Sequence, residues 1–248
     1  MIIGSELLYC ENLPSTNSHA ASLLKNKEVP EGCVIHTNYQ SAGRGQAGNK
    51  WESEENKNLL ISIILYPKMI NPSDQFQLSM VISLGICDFL QQYTNGISIK
   101  WPNDIYVNDD KIAGILIENS IMGNIIEHTI AGIGLNINQV RFLSDAPNPV
   151  SLSILTGVQY DLQECLGQLT TDLDKRYKYL ISGDYDRIKS DYVSHLYRYN
   201  QWSNFRDLNG TFTGCISDVS NFGRLKIELN DGNVKEYSFK EIEFVQKQ

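Results

Sequence analysis

KWPNDIYVNDDKIAGILIE, residues Lys100 to Glu118, is the stretch on which the fold turns. It strings two lysines, an Asn-Asp pair and a glycine along what reads as a short β-hairpin. Pro102 disfavours the α region at Trp101, so the chain enters extended. Asn108-Asp109-Asp110 is turn material, because these side chains hydrogen-bond locally and tolerate left-handed φ. After it, Ile112 to Ile117 is almost wholly apolar, as a strand covered on both faces requires. Lys111 therefore stands at the mouth of a buried strand, where an ammonium is partly desolvated and its field poorly screened. Taken alone it also reads as a lysine capping a hairpin in solvent, the usual place for a charge.

Around this hairpin, 248 residues with 42% hydrophobic content suffice for one large core, or one domain with a small satellite. The net charge of −8, with no run of Lys or Arg, argues against binding DNA. No stretch approaches the ~20 apolar residues that span a bilayer, which argues against a membrane protein. The N-terminal MIIGSELLYCENLP has no cationic start and meets Glu6 too soon for a secretory signal. Five scattered cysteines without a C-x-x-C pair argue against a disulfide framework or a metal site built from protein ligands alone. A cytoplasmic protein is expected.

Working outward toward the N-terminus, residues 5–13 read as a strand, and Pro14-Ser15-Thr16-Asn17 introduces a helix carrying Ala20, Ala21, Leu23 and Leu24. Residues 32–39 and 59–66 read as strands. Between them, residues 40–58 are glycine-rich, polar and aperiodic, so a mobile loop is expected. Asn71-Pro72-Ser73 starts a longer helix with Phe76, Met80, Leu84, Phe89 and Leu90 near one stripe. Toward the C-terminus, residues 125–138 form an apolar strand, and a proline-containing loop comes next at 146–150. Leu162, Leu166, Leu169, Leu173, Tyr177 and Leu180 fall at helical spacing. A second helix runs from about Asp184 to Tyr199, with Tyr185, Ile188, Tyr192 and Leu196 inward. From Asn200, short runs separated by Ser-Asn-Phe-Gly and Asn-Asp-Gly turns read as a small antiparallel barrel. The expected architecture is one α+β unit, residues 1–199, followed by a small β unit, residues 200–248.

Three further stretches carry chemistry. Gly43-Arg44-Gly45-Gln46-Ala47-Gly48 has the letters of a dinucleotide fingerprint, but the residues after it, Asn49-Lys50-Trp51-Glu52-Ser53, do not open an apolar periodic helix. Closely spaced glycines do let backbone N–H groups turn toward an anion, and Arg44 supplies a planar permanent charge. A plain flexible hairpin loop fits the glycines as well. Trp51 is a hydrophobic latch or a surface aromatic. Gly132-Ile133-Gly134-Leu135-Asn136 puts glycines inside a strand, which marks close approach of a ligand or backbone, or else a bulge. Ser15-Thr16-Asn17 suits a neutral polar ligand head, and is also explained as a helix cap.

In this order and spacing, GRGxxGxxW, KWPND, KxAGILIE and GxGxN resemble the biotin–protein ligase family, and the resemblance covers the whole chain. It implies a mixed, largely antiparallel sheet packed with helices, as in the biotin/lipoate ligase-like catalytic domain, with a C-terminal SH3-like β-barrel. It implies joining biotin to the α-phosphate of ATP, with Mg²⁺, and then passing the biotinyl group to a lysine of a biotin carboxyl carrier protein. By the same match Lys111 is the catalytic lysine, Arg44 the loop arginine that contacts ligand and phosphates, and Asp104 the acid near the reacting centre. Ser15, Thr16, Asn17 and Gln40 hold the biotin head, with Arg44, Lys111 and Gly114 along the rest of it. Gly43, Arg44, Gly45, Gln46, Trp51, Asn103, Lys111 and Asn136 face the adenylate.

Two departures qualify the resemblance. Family members often carry arginines where this chain has Gln46, Ala47 and Asn49, so faster loss of biotinyl-adenylate is expected. Only fourteen residues precede Ser15, too few for the winged helix of the repressor members, so the type without it is expected. A lipoate–protein ligase and a non-catalytic adenylate-binding regulator are the rival readings, and a homodimer is left open.

Overall fold

In the computed structural model, which describes residues 1–26, 28–144 and 148–245, the chain folds around one seven-stranded sheet. In chain order its elements are β1 (Leu7–Leu13), α1 (Thr16–Asn26), β2 (Val34–Gln40), β3 (Asn58–Leu65), α2 (Phe76–Leu90), β4 (Ile97–Lys100), β5 (Asp104–Val107), β6 (Asp110–Met122) and β7 (Ile125–Asn136). Helices α3 (Leu152–Thr156), α4 (Leu162–Ile181) and α5 (Tyr185–Ser194) come after them. The strands lie in the order β1-β2-β3-β7-β6-β5-β4. Only β1 and β2 pair in parallel, joined by the α1 crossover; every other pair is antiparallel.

Helices cover both faces, which is why β3 is buried at every residue and is apolar apart from Asn58 and Ser62. α1 packs over Ile35, Ile64 and Ile130 on one face. Val34, Ile63 and Ile133 point to the other, where α2 and α4 lie. Arg176 of α4 ties that helical layer together, reaching Asp88 of α2 at 2.6 Å and Asp191 of α5 at 2.5 Å.

The chain ends in a second, all-antiparallel sheet: β8 (Trp202–Asp207), β9 (Gly210–Val219), β10 (Leu225–Leu229), β11 (Val234–Tyr237) and β12 (Glu243–Phe244), ordered β11-β10-β9-β8-β12. Its apolar face joins the main core through Phe205, Ile216, Val219 and Ile227. The Trp101 indole N–H, donating to the Gly223 carbonyl at 2.9 Å, pins this sheet to the hairpin of Lys100–Glu118.

Several expected boundaries differ. The helix expected from Asp184 to Tyr199 ends at Ser194, because His195 and Tyr197 exchange backbone hydrogen bonds with Ile99 of β4. Tyr185 lies exposed rather than inward, whereas Ile188, Tyr192 and Leu196 are buried as expected. Helix α3 is an addition to the expected elements; it is capped by the Ser151 hydroxyl and closed by Gly157 at φ +74°. Of the loop expected at 146–150, residues 146 and 147 lie outside the described residues. No helix among the described residues is long and apolar enough to cross a membrane.

Candidate active site

The hairpin forms as its sequence dictates. Asn108 takes φ +55° at the turn between β5 and β6. A register shift between Ile105 and Tyr106 sets Asp104 opposite Gly114 and Tyr106 opposite Lys111. Gly114 leaves room beside Asp104; a Cβ there would lie 3.5 Å from Lys111 Cε. Lys111 uses that space to bring Nζ to 2.7 Å from Asp104 Oδ1, both side chains about a quarter exposed. Backbone bonds to Asn148 and from Val150 hold Lys111 from the other side.

This ion pair lies in a cavity of about 460 Å³. At one end stand Ser15, Thr16, Asn17 and Gln40, brought in by the start of α1 and the end of β2. Thr16 donates its backbone N–H and its hydroxyl to Gln40 Oε1, at 2.8 and 3.1 Å. Asn17 sits over Gly132, accepts from the Ser62 hydroxyl at 2.6 Å and donates to Glu118 at 2.8 Å. A Cβ on Gly132 would fall 2.2 Å from Asn17 Oδ1, so close approach is why that strand carries glycine.

The glycine-rich loop covers the middle. It is a compact turn, with Gly45 N–H bonded to the Asn49 carbonyl at 2.7 Å and Trp51 N–H to that of Gly43 at 3.0 Å. Arg44, Gly45, Gln46 and Trp51 line the cavity; Gly43 does not, and serves the turn instead, since a Cβ there would meet the Trp51 carbonyl at 2.5 Å. The Trp51 indole lies against Gly134 and Gly114, 5.7 Å from Lys111 Nζ, and so is a latch on the sheet. Two polar atoms at this point are buried without a partner, Trp51 Nε1 and Gln46 Oε1. Arg44 pairs with Glu118 at 2.7 Å, which places its guanidinium beside Asn17.

Asn103 lines the cavity and braces it, donating to the Ile115 carbonyl at 2.7 Å. Asn136 is buried behind the wall, its Nδ2 bonded to the Val150 carbonyl at 3.0 Å and its Oδ1 unpartnered. Residues not singled out by sequence complete the far end: Lys100, whose place in the KWPND run is a signal, and Phe239, Ile242, Glu243 and Phe244 of the C-terminal unit, for which the sequence holds none. Among the described residues, no cluster of three or more His, Cys, Asp or Glu side chains is arranged to hold a metal.

A neutral polar pocket, a central ion pair and a further ammonium in one groove suit a reaction that joins two anions. Comparison with known proteins agrees. Residues 9–136 match the biotin/lipoate A/B protein ligase family. The bifunctional ligase/repressor BirA of Bacillus subtilis is 32% identical over 96% of this chain and 74% of its own length. Human biotin–protein ligase is 25% identical over 77% of this chain and 24% of its own. The biotin protein ligase of Aquifex aeolicus, solved in complex with biotin and ATP, superposes with a TM-score of 0.81 at 26% identity, covering 98% of this chain and all of that one. The chain belongs to the biotin/lipoate A/B protein ligase family.

Proposed function

We propose that this protein is a biotin–protein ligase, and that its cavity runs both halves of the reaction at the Lys111–Asp104 pair. In the first half a biotin carboxylate oxygen attacks the α-phosphorus of ATP. The bond to pyrophosphate breaks and biotinyl-5′-AMP remains. In the second, a neutral lysine amine attacks the acyl carbon, an amide forms and AMP leaves.

The observation that carries this reading is the 2.7 Å contact between Lys111 and Asp104, in a groove also lined by the uncharged polar residues Ser15, Thr16, Asn17 and Gln40. The ureido ring has donors and an acceptor but no charge, and Thr16, Asn17 and Gln40 offer the mixed partners it needs. The carboxylate at the end of its chain then meets the α-phosphate at Lys111, whose compact charge offsets both anions. Asp104, one hydrogen bond away, is placed to take the proton from the acceptor amine. Arg44 approaches from the loop, and the unpartnered Gln46 Oε1 and Trp51 Nε1 would find their partners in the ligand. Asn136 serves the adenine from behind the wall through its free Oδ1. Closure over the mixed anhydride keeps water away.

Magnesium keeps several waters and takes one or two carboxylates beside substrate phosphates. The donor set here fits an ion held chiefly by ATP, with Asp104 as the protein carboxylate, and such an ion offsets phosphate charge. The acceptor is a biotin carboxyl carrier protein. From Leu116 to Met122, β6 has β7 on one side and no strand among the described residues on the other, an edge that suits strand addition by that partner. The same edge suits a homodimer. The expected division into a catalytic domain, residues 1–199, and an SH3-like domain, residues 200–248, fits the second sheet, although among the described residues that sheet is open between β11 and β12 rather than a closed barrel. ATP dependence suits work in the cytoplasm.

The test is exchange of labelled pyrophosphate into ATP with biotin or lipoate added. Biotin supports exchange and lipoate does not. Exchange driven by lipoate overturns the choice of acid, and none with either overturns catalysis in favour of a binding regulator.

A further inference from the structure

Four cations line the cavity: Arg44, Lys50, Lys100 and Lys111. Two are already matched, Arg44 by Glu118 and Lys111 by Asp104. Lys50 is exposed. Lys100 is different, for it is half-buried and forms no ion pair among the described residues. Its Nζ donates to the Tyr106 hydroxyl at 2.9 Å, which fixes the ammonium without neutralising it. Its other neighbours are the ring faces of Tyr106 at 4.8 Å and Phe244 at 5.6 Å. An ammonium has three donors, so two remain for a ligand.

Strand order turns the cavity into a ruler. Asn17 marks the β3 and β7 end, through Ser62 and Gly132. Lys111 stands on β6, Asp104 on β5 and Lys100 on β4. Neighbouring strands lie nearly 5 Å apart, so the groove runs roughly 15 Å from the neutral end to Lys100. In-line displacement puts the attacking oxygen and the leaving group on opposite sides of the α-phosphorus. A carboxylate arriving from the β7 side at Lys111 therefore expels pyrophosphate toward β4.

We infer that Lys100 is the binding residue for the β- and γ-phosphates of ATP and holds pyrophosphate as it leaves. This rests on the ligase reading above. Burial pushes the Lys100 pKa below that of an ordinary lysine, against the pull of Asp104 and with help from Lys111 and Arg198, so its charge is poorly served until an anion arrives. Arg198, buried nearby, adds to the positive field. Glu243, the acid at this end, faces Arg206 at 3.7 Å.

The experiment separates ligands that carry these phosphates from one that lacks them. In the full-length protein Lys100→Met keeps most of the stem and removes the charge; Lys100→Arg keeps the charge. For Lys100→Met, affinity for ATP and for pyrophosphate in the reverse reaction falls ~10-fold or more, the scale of a charge-assisted hydrogen bond. Affinity for a non-hydrolysable biotinyl-adenylate analogue, and transfer from preformed adenylate to carrier protein, stay within about twofold. Lys100→Arg recovers part of the ATP affinity. Equal losses for ATP and adenylate, or unchanged ATP binding, overturn the assignment. Loss of biotin-dependent exchange in the unaltered protein sinks the ligase reading instead, so the two failures are distinguishable.

Discussion

The centre at Lys111 and the loop that covers it are built on opposite plans. Lys111 and Asp104 belong to strands hydrogen-bonded on both sides, and a register shift with a facing glycine sets their 2.7 Å contact. The loop closes on itself through short backbone bonds and reaches the rest of the protein by side chains: Arg44 on Glu118, Trp51 on two glycines, Glu52 on the chain at Leu143 and Ser144. Position is needed at the reacting atoms, where a displacement of 1 Å is expensive. Reversible grip is needed around them, because ligand must enter and product leave. Substitutions on the strands should therefore fall on the rate of chemistry, and those around the loop on ligand retention.

The sharpest way to break that division is Lys111→Ala. It removes the charge aimed at the reacting phosphorus, so adenylation should slow by ~10²–10³ in rate, as for loss of one preorganised electrostatic contact. Biotin affinity should fall far less than the rate, because the ureido head is held at the Asn17 end of the cavity and only the carboxylate loses its partner. Pyrophosphate exchange and biotin titration measure the two separately. Exchange continuing undiminished would remove Lys111 from the mechanism.

The strands are legible in the sequence for the reason that makes them rigid. Hairpin and apolar runs at 97–117 and 125–138 arise from local turn chemistry and from burial on both faces, and the structure contains both, the second as a strand that ends at Asn136. The spacing of Leu162 to Leu180 likewise announces α4. Local rules fail where distant backbone decides. The last turn of α5 is surrendered to pairing with Ile99, which no periodicity records. α3 is five residues long, too short for a period, although Ser151 and Gly157 are readable as its caps. Thr16, Gln46 and Lys111 are legible as site residues and share the cavity. Gly43 and Asn136 stand just outside its lining; Lys100 is readable from the KWPND run, whereas Phe244 enters through docking of the second sheet, a long-range event.

Gly134→Ala sharpens the comparison from the loop's side. A Cβ there would fall 2.3 Å from the Trp51 ring, far inside van der Waals contact. Either the strand or the indole must move, and the indole, carried on a loop, yields more easily. Overpacking of this kind runs to about 1–3 kcal/mol. Biotin affinity should accordingly fall ~10-fold, with melting temperature little altered and the rate from fully bound substrates largely kept. Gly167→Ala on α4, where no atom lies within 4 Å of the new methyl, is the control for adding a Cβ. Should the chemical rate drop while affinity holds, Trp51 belongs with the strands rather than with the clamp.

The smallest effect concerns Glu52, at the loop's exit. Its carboxylate accepts the backbone N–H groups of Leu143 and Ser144, each at 2.7 Å. Burial alone would raise its pKa, but hydrogen bonds from the Ser144 side chain and these two N–H groups outweigh that and hold it below the usual glutamate value. A carboxyl depressed in the folded state stabilises the fold above its unfolded pKa, and that contribution fades as pH falls through the lowered folded value. The tether should thus be fully present at neutral pH and slacken only in acid. Amide exchange at Leu143 and Ser144, corrected for intrinsic rates, is expected to quicken in that range. E52Q should quicken it roughly threefold at neutral pH, a size set by the pair's solvent exposure, and should flatten the acid dependence. Equal protection in E52Q and the unaltered protein at every pH would mean that the exit of the loop is held by backbone alone, as the strands are.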